Sequence, residues 1–225
     1  MKTIILTGSN SGLGKDLRKL LNAERFSGDK KIFFSRQRIN DDYLSPESEY
    51  ISEDLSKPIE CVSDISFNKS TKSVIFINNA ATIKPITQIV NIDFNAIEEA
   101  MQINFWNPLK IATHLTNEAK KLNINIIVIN ITSGAAKKPV NGWLAYCVSK
   151  SSIRMALDIL EDENHNLRLY HFDPGVMDTK MQESIRQSDK TSMNDVELFR
   201  DLYSDGKLRD PKDVALEIVE LIDKE

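Results

Sequence analysis

Tyr146 and Lys150 stand four positions apart, and Ser133 precedes the tyrosine by thirteen. On a helix, a four-residue step puts two side chains on one face. A phenol with pKa ~10 is a poor proton shuttle at neutral pH, so a working tyrosine needs a positive neighbour to favour its phenolate. Lys150 is placed to be that neighbour. Bringing the phenol near neutrality takes about 4 kcal/mol of differential stabilisation. A close ammonium, the cationic face of a bound cofactor and the first turn of a helix can supply this together. Ser133, leaving an apolar run, can hydrogen-bond the same substrate oxygen. By itself Tyr-x-x-x-Lys occurs on many solvated helix faces, so the pattern gains meaning only from the elements that carry it.

Those elements begin with short apolar runs separated by helix-like segments: Ile4 to Leu6, Ile32 to Phe34, Val74 to Ile77, Ile126 to Ile131 and Leu167 to Phe172. Continuous β-branched and aromatic runs alternating with helices point to a doubly wound parallel α/β sheet, with right-handed crossovers placing helices on both faces. At 225 residues the chain suits one domain spanning 1–225. With 41% hydrophobic and 28% charged residues it reads as a globular protein, not a disordered one. A formal net charge of −4, with no basic run, argues against nucleic acid as a partner. Nothing reaches membrane-spanning length, and the apolar part of the opening segment is too short for a signal peptide. Two cysteines, Cys61 and Cys147, and no metal-type spacing around the three histidines predict free thiols, no metal, and a cytoplasmic location.

The first run leads into Thr7, Gly8, Ser9, Asn10, Ser11, Gly12, Leu13 and Gly14, then into a helix with Leu17, Leu20 and Leu21 on one face. Three glycines between strand and helix let the backbone turn tightly, approach a pyrophosphate and aim amides at it. Ser35 and Arg36 follow the second strand. An acidic residue there would bind a ribose 2′-hydroxyl, whereas Arg36 suits a 2′-phosphate and favours NADP. Any helix between Arg36 and Tyr50 should be abbreviated, and Asp54 with Leu55, after a third strand, can flank the adenine. The fourth strand ends in Asn78, Asn79, Ala80 and Ala81, small residues against which a cofactor can lie.

A long helical stretch from Asn95 to Leu122 is expected to be interrupted at Pro108. Its Asn104 is either a kink partner or the holder of a water relay, and composition favours the structural role. The Tyr146 helix should run to about Asp162, with more apolar residues than one core stripe requires, a surplus suited to another subunit. After the sixth strand come Pro174, Gly175, Val176, Met177 and Thr179, then a polar segment, 180–209, that reads as a substrate lid. Asp210-Pro211 starts a last helix with Val214, Ile218, Val219 and Ile222 on one side.

Together these residues resemble the short-chain dehydrogenase/reductase family over nearly the whole chain. Thr7-Gly8-x-x-x-Gly12-x-Gly14 is similar to its cofactor loop and Asn78-Asn79-Ala80 to its Asn-Asn-Ala-Gly motif. Asn104, Ser133, Tyr146 and Lys150 fall where its catalytic tetrad would, and Pro174-Gly175 with Thr179 is similar to the segment that holds the nicotinamide. The stretch from Ser133 to Cys147, with Pro174 to Gln182, looks most like the branch of benzil and sepiapterin reductases. That resemblance implies NADPH-dependent reduction of a small-molecule carbonyl compound, often a vicinal diketone or aromatic ketone. Ser133 and Tyr146 would act on the oxygen, Lys150 on the tyrosine and the nicotinamide ribose, and Asn104 on a water. Ala135, Ala136, Val140, Trp143, Leu144, Met177 and Met181 would line an apolar pocket.

Three departures from the family pattern matter. Ala81 replaces a glycine and requires negative φ; Ser11 stands where relatives often carry a second basic residue; and no seventh strand follows the last helix. Six parallel strands in the order 3-2-1-4-5-6 are therefore expected, with a homodimer formed through the Asn104 and Tyr146 helices. Oxidation of an alcohol would use the same residues. A non-catalytic NADP-binding redox sensor or scaffold is the alternative from another class.

Overall fold

The computed structural model describes residues 1–37 and 45–225. The abbreviated helix expected between Arg36 and Tyr50 falls largely on 38–44, outside the described residues. Six strands, β1 (Lys2–Thr7), β2 (Lys30–Ser35), β3 (Ser48–Ser52), β4 (Ser73–Asn78), β5 (Asn125–Ile131) and β6 (Leu167–Phe172), form one sheet in the order 3-2-1-4-5-6. Every pairing is parallel; Ile5 stands between Ile32 and Phe76, and Asn130 between Asn78 and His171. The four inner strands are buried along almost their whole length, whereas β3 and β6 at the edges are half exposed. This is why the inner runs read as unbroken apolar stretches. On the β6 edge, the Leu169 N–H donates to Glu161 Oε1 (2.7 Å), which covers one donor that another strand could have used.

The described residues form seven α-helices: α1 (Gly12–Leu21), α2 (Phe94–Met101), α3 (Asn107–Lys121), α4 (Leu144–Asp162), α5 (Lys180–Arg186), α6 (Val196–Ser204) and α7 (Pro211–Asp223). One core layer joins Phe34, Phe76 and Val128 to Ile111 and Leu115 of α3 and Ile153 and Leu157 of α4. The other joins Leu6, Phe33, Ile75 and Ile129 to Leu13, Leu17 and Leu21 of α1 and Val214, Ile218 and Ile222 of α7. Each such fully buried side chain contributes about 1.5–3 kcal/mol. The start of α7 is as the sequence predicts, with Pro211 in its first turn and Asp210 accepting from the Lys212 amide.

The long helical stretch differs from expectation in where it breaks. A π-helical turn, Gln102–Trp106, lies between α2 and α3, so the interruption precedes Pro108, which sits in the first turn of α3. Proline has no N–H, and its ring crowds the carbonyl four residues back, which here belongs to Asn104. The wider turn accommodates both, and the Asn107 N–H bonds back to the Gln102 carbonyl instead.

Candidate active site

Ser133 leaves β5 in an extended conformation (φ −160°), and its Oγ accepts from the Ala135 N–H at 3.2 Å, opening a single 3₁₀ turn, Gly134–Ala136. The chain returns through Gly142 (φ 79°) to α4, whose first turn carries Tyr146 and whose second carries Lys150. Both side chains are buried, Tyr146 at 7% exposure and Lys150 at 2%. The Ser133 hydroxyl reaches the phenol. Lys150 Nζ lies 5.8 Å from the centre of the Tyr146 ring and donates to the Ile131 carbonyl at 2.8 Å.

The protein groups alone do not activate the tyrosine as the spacing predicts. Burial pushes the Tyr146 phenol up to about 12; the Ser133 hydrogen bond opposes this and the Asp173 charge adds to it. Burial brings the Lys150 ammonium down to about 8. Desolvation disfavours the charged form of each, and it is the largest influence on both. Of the contributors named for the phenolate, the ammonium and the helix turn are present in the chain, and the remaining one belongs to a bound cofactor.

Asn104 makes contacts suited to the structural role. Its Nδ2 donates to the Thr82 carbonyl (2.9 Å) and to Ser149 Oγ (3.0 Å), and its Oδ1 accepts from the Thr82 N–H (2.8 Å). With both N–H groups of the amide engaged, the side chain clamps the loop after β4 onto α4.

The carboxyl ends of β1, β2 and β4 form a cradle that fits a dinucleotide. Gly8 has φ 70°, and a Cβ on Gly14 would stand 2.0 Å from the Gly8 carbonyl oxygen, so helix and turn meet at a distance that only hydrogen allows. Asn79 closes the turn, its Nδ2 donating to the carbonyls of Thr7 and Gly8, while Thr7 Oγ1 accepts from the Asn79 and Ala80 amides. Ser9 is buried, its amide and hydroxyl on the Phe34 carbonyl, and Asn10 Nδ2 reaches the Gln37 carbonyl. Ser11 precedes α1 without capping it, which leaves the first amides of that helix to an anion. Gly12 (φ 48°) approaches Thr179, so the loop after β6 lies over the glycine turn.

Of the other residues predicted to hold the cofactor, Leu13 and Leu55 are buried in the two core layers, and only their backbones can contribute. Ser35 Oγ donates to the Gln37 carbonyl, and Arg36 is exposed at the end of β2. Asp54 has its pKa lowered by the Ser56 amide and hydroxyl and then by the Arg36 charge, which sets the two side chains near each other. Ala81 has negative φ, as the replacement of glycine requires. Gly175 has φ 69°, Val176 is exposed, and the Pro174 carbonyl accepts from Arg209.

Ala135, Trp143 and Tyr146 cluster in an apolar wall, with half-buried Val140 and Met181 packed against it. Trp143 meets Tyr146 edge to face at 5.8 Å and Phe199 at 5.3 Å. Met177 is a correction: it packs with the α1 and α7 layer, because the bridge between Met177 and Arg209 turns it to the other face. Missed by sequence reading are Ile83, Ile185, Met193 and Val196, which close over Trp143. The segment bearing the last three is latched down. Asn141 Oδ1 accepts from the Asn194 amide (2.9 Å), and a Cβ on Gly142 would stand 2.4 Å from the Ser192 carbonyl oxygen. No periodicity in 180–209 announces this, because the contacts are to a distant loop. Also missed is Asn107, a buried polar residue just before Pro108.

A parallel sheet with a glycine turn under a helix start, and beside it a buried Tyr and Lys with a half-buried Ser, defines a nicotinamide-dependent oxidoreductase. Residues 2–190 match the family model described as short chain dehydrogenase, and the chain belongs to that family, whose members act on carbonyl or alcohol groups. Among its relatives, benzil reductase ((S)-benzoin forming) of Bacillus subtilis is 30% identical over 232 residues, covering 100% of this chain and 94% of the relative. The sepiapterin reductase of Xenopus tropicalis is 26% identical, covering 97% and 90%. A short-chain dehydrogenase/reductase structure from Saccharomyces cerevisiae superposes with a TM-score of 0.78 at 23% identity, covering 94% of this chain and 86% of that one. No helix among the described residues is long and apolar enough to cross a membrane.

Proposed function

We propose that the chain is an NADPH-dependent carbonyl reductase that converts a ketone or vicinal diketone to the alcohol. The observation that carries this reading is the convergence of Ser133, Tyr146 and Lys150 at the end of β5, walled by Trp143 and Ala135. Bound NADPH supplies the hydride. Ser133 donates a hydrogen bond to the carbonyl oxygen as negative charge grows there, and Tyr146 transfers its proton to it. Lys150, once its ammonium also meets the nicotinamide ribose, favours the phenolate left behind. Its pKa near 8 keeps it largely protonated at neutral pH. The likeness to benzil reductase supports an aromatic diketone as substrate.

Arg36 supports NADP over NAD: it is exposed at the end of β2, where a guanidinium can take a 2′-phosphate. Residues 180–209 serve as the lid, held by the Asn141 and Gly142 contacts and free to open when these break. Exposed Val148, Met155 and Ile159 on α4 lie beside α2 and the π turn, which expose Phe94 and Trp106. This face is read as the contact between two copies in a homodimer. Cys61 and Cys147 are free thiols and fit a cytoplasmic protein.

The test is consumption of NADPH by purified protein, followed by its near-ultraviolet absorbance, with benzil, a phenyl-substituted dione and sepiapterin, and with NADH as control. Turnover of a diketone is expected, reduced about a thousandfold or more in Tyr146→Phe, with NADPH affinity changed little. Equal losses of turnover and affinity would refute the role of Tyr146. Tight NADPH binding without turnover of any carbonyl compound would favour the sensor.

A further inference from the structure

Asn107 is buried (1% exposed) in a helix start, and every polar atom of its side chain is engaged away from its own helix or across the π turn. Its Nδ2 donates to the carbonyls of Leu55 (2.9 Å) and Lys57 (2.8 Å). Its Oδ1 accepts from the Ile59 N–H (3.3 Å) and from Gln102 Nε2 (2.7 Å). All three backbone partners belong to the loop after β3. That loop starts beside Arg36: the Glu53 N–H bonds to the Ser35 carbonyl, Ser52 Oγ to the Arg36 carbonyl, and Asp54 feels the Arg36 charge. Residues 54–57 therefore form the outer rim of the cradle at the end of β2, where the adenosine half of a dinucleotide lies.

Asn104, three residues earlier, clamps the loop after β4 at the catalytic end. β3 and β4 are separated in the sheet by β2 and β1, so the two loops do not support each other through neighbouring strands. The π turn rotates the two amides apart more than an α-helix would over the same three residues, and so aims one at each loop.

We propose that Asn107 is a positioning residue for cofactor binding: it holds the loop of residues 55–59 in the shape that receives the adenosine half, while Asn104 does the same for the catalytic half. This rests on the dinucleotide reading of the cradle. Without Asn107 the carbonyls of Leu55 and Lys57 lose their donor, the loop samples other conformations, and its ordering must be supplied by the ligand. The effect should fall on the adenosine end alone, since Asn107 bonds nothing around Ser133, Tyr146 or Lys150.

The experiment measures the dissociation constant of adenosine 2′,5′-bisphosphate by calorimetry, and kcat at saturating NADPH, for wild type, Asn107→Ala and the milder Asn107→Ser, with thermal unfolding as a check on folding. A rise in the bisphosphate dissociation constant of about tenfold, with kcat within about twofold of wild type, is expected. If the alanine variant does not fold, the serine variant gives the reading. Unchanged bisphosphate affinity in a folded variant overturns the proposal. So does a matching loss in kcat, which would mean a general loosening of the fold. Wild-type protein that binds neither the bisphosphate nor adenosine 5′-monophosphate overturns the dinucleotide reading itself, and this inference with it; if it binds only the monophosphate, the same comparison of variants is made with that probe.

Discussion

Replacing Lys150 with methionine should make the protein more stable while abolishing turnover. The ammonium is 2% exposed and donates to the Ile131 carbonyl. Burial alone lowers its pKa from 10.5 to about 8. That fall corresponds to about 3 kcal/mol by which burial of the charge opposes folding at neutral pH. Methionine matches the stem in length and carries no charge. Its cost is the donor lost to the Ile131 carbonyl, about 1 kcal/mol. The variant should therefore gain about 2 kcal/mol at pH 7, and for a chain of this size its Tm should rise by about 4–8 °C.

The pH dependence separates this cause from better packing. The native lysine has the depressed pKa, so between about pH 8 and 10.5 the unfolded chain binds more protons and wild-type stability rises with pH. The advantage of Lys150→Met should thus shrink by about 1 kcal/mol between about pH 7 and 9. Tyr146 and Cys61 are both pushed up to about 12, so neither ionises in the native state between about pH 7 and 9 and neither disturbs the comparison. Calorimetric unfolding of the two proteins at both pH values is the assay. A variant less stable at neutral pH, or an advantage independent of pH, would refute the argument that the ammonium is held against a desolvation cost.

Arg36→Ala should raise the KM for NADPH about tenfold or more while leaving NADH within about twofold, in steady-state kinetics with both cofactors. Gly14→Ala places a methyl group 2.0 Å from the Gly8 carbonyl oxygen and must displace the turn. It should cost about 1–3 kcal/mol in thermal unfolding and most of the NADPH affinity in calorimetry. If this face joins two copies as proposed, Met155→Asp on the exposed side of α4 should leave only monomer in sedimentation velocity, with an unchanged circular dichroism spectrum. A monomeric wild type would remove that reading of the face.

Much of this protein is local in origin and so could be read from its residues in order. β1, β2, β4 and β5 are buried on both faces, and such strands must be apolar throughout, so their runs stand out. A strand-to-helix turn that places Gly14 against Gly8 admits only glycine, and a helix step of four puts Tyr146 and Lys150 on one side whatever surrounds them. The Asp210-Pro211 start of α7 is likewise a property of one turn of chain.

What could not be read depends on partners remote in sequence. The resemblance puts Met177 in the pocket, but its pairing with Arg209 sends it to the opposite core. Asn104 and Asn107 look alike as polar residues in an apolar helix. Only the positions of Thr82, Ser149 and the 55–59 loop distinguish them. The direction of the Tyr146 pKa shift is the clearest case. The sequence supplies the neighbouring lysine that would lower it, while the tertiary structure supplies the depth of burial that raises it. Desolvation is a property of everything packed around a group, and no spacing along the chain encodes it.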